Sequence, residues 1–115
     1  MAIERRKYIR IPEQSQIFYK IIPSEKTKGY TTRDISQGGI RFKVHEFIPK
    51  DSQLKIRLTL RETSFTFEAI VQAICISEMP YGQAYEVGVK FIDIPVPAAN
   101  YLINYIKAFL AHKSR

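Results

Sequence analysis

From Leu54 to Arg61 the chain alternates without a break: Leu54, Ile56, Leu58 and Leu60 interleave with Lys55, Arg57, Thr59 and Arg61. Successive side chains of an extended strand point to opposite faces, so this stretch has one dry face and one wet face. The same period of two recurs along the chain. Ile17, Tyr19 and Ile21 share a face before the turn Pro23-Ser24-Glu25-Lys26, and Tyr30-Thr31-Thr32-Arg33 is rich in strand formers. Ile40, Phe42 and Val44 alternate with Arg41, Lys43 and His45; Tyr85, Val87, Val89 and Phe91 form a last strand. Between them Phe65, Phe67, Ala69, Val71, Ala73 and Cys75 share one face of a long strand, which places Cys75 inside as a small buried residue. It ends at the turn Met79-Pro80-Tyr81-Gly82. Six strands joined by short turns favour antiparallel pairing, and closure into a small barrel removes exposed edges. The expected fold is mainly all-β: a six-stranded antiparallel barrel.

The period changes near the end. Ala99, Leu102, Ile103, Ile106, Phe109 and Leu110 recur at helical spacing after Pro95 and Pro97, predicting a C-terminal helix whose apolar stripe packs on the barrel. At 115 residues, 45% of them hydrophobic, the chain suits one compact domain with a real core. No apolar run approaches the ~20 residues that span a bilayer. The basic N-terminus has no apolar segment behind it, which argues against a signal peptide. A single cysteine, Cys75, allows no intrachain disulfide, and the cytoplasm is the expected compartment.

Enzymatic chemistry finds little support. His45 and His112 stand beside no convincing nucleophile or metal-ligand spacing, and CxxC, HExxH and Walker-type loops are absent. Asp34 and Ser36 could belong to part of a triad, but no histidine of known proximity completes it. No catalytic residue, metal or cofactor is expected. The net charge of +7 instead favours an anionic partner.

Two clusters bear on what that partner would be. The first is Arg6-Lys7-Tyr8-Ile9-Arg10, with Arg5 directly before it; the second is Asp34-Ile35-Ser36-Gln37-Gly38-Gly39, opening into the strand Ile40-Arg41-Phe42-Lys43-Val44. Read alone, the first is a basic segment. The second is a turn in which Asp and Ser bond nearby backbone and glycine supplies positive φ.

In order and spacing the two clusters resemble the RxxxR and (D/N)xSxxG signatures of the PilZ domain, a bacterial receptor for cyclic di-GMP. Tyr85-Glu86-Val87-Gly88-Val89-Lys90-Phe91 resembles the family's late GVxF strand before a C-terminal helix, so the likeness runs from Arg5 to about Phe109. The resemblance implies a PilZ-type barrel over residues 13–115, preceded by a basic arm over residues 1–12, in one domain. It also implies a non-catalytic cyclic di-GMP receptor whose ligand-binding set is Arg5, Arg6, Arg10, Asp34, Ser36 and Gly39. Arginine suits such a ligand, because its planar fork pairs with phosphate oxygens and with O6 and N7 of guanine. Binding is expected to order the arm and signal to a downstream protein of motility, exopolysaccharide synthesis or transcription. The rivals are a small basic barrel for single-stranded nucleic acid and a PilZ interaction module that binds no nucleotide. The nucleic-acid reading is disfavoured because Tyr8, Tyr19, Tyr30 and Tyr101, which would have to stack bases, do not cluster in sequence.

Overall fold

The structure is a computed structural model describing residues 8–82 and 84–113. Among the described residues there are seven strands: β1 (Ile11–Pro12), β2 (Gln16–Ile21), β3 (Lys28–Ile35), β4 (Gly39–Val44), β5 (Gln53–Thr59), β6 (Thr66–Glu78) and β7 (Tyr85–Asp93). Helix α1 (Val96–Lys113) follows. The sheet order is β3-β2-β5-β6-β7-β4, and β4 pairs back onto β3, so six antiparallel strands close into a barrel. The seventh strand is the short β1, which adds to β3 through Ile11 opposite Ile35 and Pro12 opposite Asp34.

The alternation from Leu54 to Leu60 is realised in full: Leu54, Ile56, Leu58 and Leu60 are at most 1% exposed, while Lys55 and Arg57 face water. Phe42, Val44, Val71, Ala73 and Val87 meet them from the other strands, all at 0% exposure. Such a core is roughly proportional in strength to the apolar area taken from water.

The helix starts earlier than its apolar spacing suggests. Pro95 contributes the carbonyl that accepts from Ala99 N at 2.9 Å, and Pro97 lies in the first turn, where a missing N–H costs nothing. Ala98, Leu102 and Ile106, four residues apart, form the buried stripe against the barrel. Beside them Tyr101 stacks on Phe65 with ring centroids 4.0 Å apart. Tyr105 donates its hydroxyl to Glu13 Oε2 at 2.9 Å, tying the helix to the segment that joins β1 and β2. Glu13 is only 8% exposed, and its carboxylate also accepts from Ser15 Oγ and from Arg61 N.

Two expectations are corrected. Cys75 is exposed, not buried. The pairing of β6 with β7 slips between Ala73 (opposite Val89) and Cys75 (opposite Gly88), a β-bulge that breaks the alternation. Phe67, Ala69, Val71 and Ala73 stay inside, Ile74 and Cys75 both lie outside, and Ile76 resumes packing against the core. Asp34, read as a turn residue, lies on β3 opposite Arg41, and the turn begins two residues later.

Candidate functional site

Segment β3–turn–β4 is organised by one serine. Ser36 is 7% exposed, and its Oγ accepts from the backbone N of Gly38 and of Gly39, each at 3.1 Å. Ser36 N donates to Gly39 O at 2.9 Å, closing the turn. Neither glycine adopts positive φ, contrary to expectation. Their bareness serves close approach instead. A Cβ on Gly39 would stand 2.1 Å from Val89 O on β7, and one on Gly38 would stand 2.5 Å from Cδ2 of the Tyr8 ring. The turn is therefore clamped between β7 and the residues ahead of β1.

Around this turn lies a cavity of about 760 Å³. Tyr8 and Arg10 reach it from before β1; Ser36, Gln37, Gly38 and Gly39 come from the turn. Ile74 of β6, Gly88 and Lys90 of β7, and Ile94 ahead of the helix are also part of its lining, with Ile40, Val89 and Phe91. Thus Arg10, Ser36 and Gly39 of the expected set, distant in sequence, share one cavity. Asp34 stands beside it and not in its lining. Arg5 and Arg6 lie outside the described residues.

Asp34 belongs to a charged row on the outer surface of β3, β4 and β7. Arg41 donates to Asp34 Oδ2 from Nε at 3.0 Å and from Nη2 at 2.8 Å, and its Nη1 lies 3.6 Å from Glu86 Oε1. Glu86 in turn pairs with Arg33. The hydrogen bond to Asp34 holds the Arg41 pKa above its ordinary value, outweighing the opposing effect of burial. The row is part-buried and mutually neutralising, so it fixes geometry more than it adds stability.

Tyr8, Gln37, Gly38, Ile74, Gly88, Lys90 and Ile94 line the cavity but were not among the expected ligand-binding residues. Gly88 and Lys90 fall within the GVxF stretch, which was legible as a strand but not as a cavity wall. Ile74 became a lining residue only through the bulge.

Among the described residues no group of histidine, cysteine and carboxylate side chains is placed to hold a metal ion, and no helix is long and apolar enough to cross a membrane. The sequence profile of the PilZ domain matches residues 4–108. No curated protein matched the chain in sequence. Among solved structures, the Bacillus subtilis inhibitor of motility MotI/DgrA is 19% identical, with a TM-score of 0.86 over 98% of this chain and 55% of that one. Escherichia coli YcgR in complex with c-di-GMP is 18% identical, with a TM-score of 0.79 over 97% of this chain and 49% of that one. The isolated PilZ domain of E. coli YcgR with c-di-GMP is 16% identical, with a TM-score of 0.69 over 96% of this chain and 98% of that one. The chain thus spans about half the length of the first two proteins. At such identities the likeness is one of fold. The family assignment comes from the profile, which takes in both motif clusters, the late β7 strand and most of α1: this chain belongs to the PilZ domain family.

Proposed function

We propose that the chain is a non-catalytic cyclic di-GMP receptor, with Arg6, Arg10, Asp34, Ser36 and Gly39 as its ligand-contacting set and Arg5 as an addition. The observation that carries this reading is the shared cavity: Arg10 of the first motif meets Ser36 and Gly39 of the second around a space of about 760 Å³. That volume falls within the roughly 300–1,000 Å³ common for small-molecule sites. Two solved neighbours, E. coli YcgR and its PilZ domain, are described with c-di-GMP bound, which supports the same ligand here.

The chemistry of each group fits. Arginine forks pair with phosphate oxygens and with the O6/N7 edge of guanine. Asp34, anchored through Oδ2, offers Oδ1 to the N1–H and N2–H edge of guanine. Ser36 and Gly39 shape the turn that carries the ligand, and the hydroxyl can bond a phosphate.

The part of the arm ahead of Ile11 orders as its arginines gain partners from the nucleotide, an order–disorder switch on a preformed barrel. Ile11 is 1% exposed in the core, so the change is confined to residues ahead of it. The altered surface is then read by a downstream protein of motility, exopolysaccharide synthesis or transcription in the bacterial cytoplasm. MotI/DgrA, described as an inhibitor of motility, lends weight to the first class.

The test is calorimetric titration of the purified chain with cyclic di-GMP, with GTP and a short single-stranded DNA as controls. Saturable binding of cyclic di-GMP alone is expected. Equal binding of the DNA would replace this reading with the nucleic-acid one, and no binding of any would leave an interaction module.

A further inference from the structure

The bulge in β6 turns an apolar side chain away from the core. It interrupts the ladder between Ala73 and Cys75 and places Ile74 on the outer surface, 40% exposed. Bulges commonly re-aim side chains beside functional sites. Here the re-aimed side chain lines the same cavity as Arg10 and Ser36. Next to β6, strand β7 contributes Gly88 and Lys90 to that lining. Gly88 is bare where a Cβ would stand 2.8 Å from Cys75 Sγ, so the absent side chain lets Cys75 lie close over the β7 backbone. Lys90 is exposed and forms no ion pair among the described residues. Lysines 20, 28 and 55, by contrast, each have a carboxylate within 3.7 Å.

The cavity therefore has two unlike sides. One carries Arg10 and the Ser36–Gly39 turn; the other, built by β6 and β7, carries an exposed apolar side chain, Ile74, and a cation without an ion pair among the described residues, Lys90. A ligand with two phosphates and two purines asks for a cation and a flat apolar contact twice over. Resting on the cyclic di-GMP reading, we infer that the β6–β7 side receives the half of the nucleotide that the motifs do not. Lys90 bonds the second phosphate, and Ile74 packs against the second guanine. Lysine serves as a point charge for phosphate where no bidentate fork is required.

The test is calorimetry of the full chain with cyclic di-GMP for the parent, Lys90→Gln, Lys90→Arg, Ile74→Leu and Ile74→Asp, with Arg10→Ala as reference. Both positions lie on the outer surface, and a melting curve for each variant checks the fold. Lys90→Gln is expected to weaken binding by about tenfold to a hundredfold, the worth of one hydrogen bond to a charged group. Lys90→Arg should retain most of the affinity. Ile74→Asp should weaken binding to a similar degree, while Ile74→Leu binds as the parent does. If the parent binds and Arg10→Ala weakens it while Lys90→Gln and Ile74→Asp bind normally, the second half-site is overturned and the motif side stands. If the parent itself does not bind, the receptor reading falls, and this inference with it.

Discussion

Arg41 donates from both Nε and Nη2 to one oxygen of Asp34, and Asp34 Oδ1 takes no hydrogen bond from the described residues. A carboxylate gripped through one oxygen keeps the other aimed and available. Arg41 is then a positioning residue for the proposed guanine contact, and the two should act as a unit. Arg41→Met and Asp34→Asn are each expected to weaken cyclic di-GMP binding about tenfold, with a double mutant little worse than either. Stability should fall by about 1–2 kcal/mol in each, read by urea unfolding. Additive binding losses in the double mutant would separate the two residues.

The β pattern was legible because burial imposes a period of two: every inward residue from Leu54 to Leu60 sits where the alternation puts it. Closure could be argued from short turns and a small chain. The bulge at Ile74 could not, because a one-residue slip leaves no mark in a run such as Ala73-Ile74-Cys75-Ile76, where residues on both faces are apolar. β1 was missed for the opposite reason: two residues ending in proline carry no periodicity, and they form a strand only because β3 offers an edge. The cavity was half legible. Arg10, Ser36 and Gly39, named through motif spacing, line it, whereas Ile74, Gly88 and Lys90 join it through strand pairing, which local sequence does not encode.

Gly39 separates structural from ligand roles. A Cβ there would press to 2.1 Å from Val89 O, and backbone on a paired strand cannot give way cheaply. Gly39→Ala should therefore cost at least about 2 kcal/mol through steric strain, measured by chemical denaturation. Loss of nucleotide binding beyond the unfolded fraction is expected from the proposed contact of Gly39 with the ligand. Binding that only tracks the unfolded fraction would leave Gly39 a structural residue and remove it from the ligand-contacting set.

Alkaline pH should loosen the helix first. Burial raises the Tyr105 hydroxyl from 10.0 to about 12, helped by its hydrogen bond to the Glu13 carboxylate. Tyr19, buried and bonded to Glu46, is displaced in the same direction. With folded values above unfolded ones, this stability is fully present below about pH 10 and is lost as pH climbs towards 12 and beyond. Melting temperature followed from pH 8 to 12 should fall across that window. Tyr105→Phe should start about 1 kcal/mol less stable at neutral pH, having left Glu13 a bond short, and should decline less steeply. Parallel curves for parent and variant would mean that Tyr105 does not titrate with unfolding.

The arm is where ligand and signal should meet. Arg10 lines the cavity directly ahead of Ile11, so a nucleotide held by Arg10 and by Arg6 pulls on the chain at the point where it enters the barrel. Replacing either arginine by alanine should cost about 1.5–3 kcal/mol of binding, and lysine should restore little, because the fork is lost. Amide exchange should slow ahead of Ile11 and around Asp34–Gly39 when cyclic di-GMP is added. The strand Leu54–Leu60, whose inward residues are already at most 1% exposed, should not change and serves as the internal reference. The Arg6→Ala/Arg10→Ala double variant should lose the protection together with the affinity. Equal exchange of the arm with and without nucleotide, in a parent that binds, would remove the switch and leave a rigid receptor.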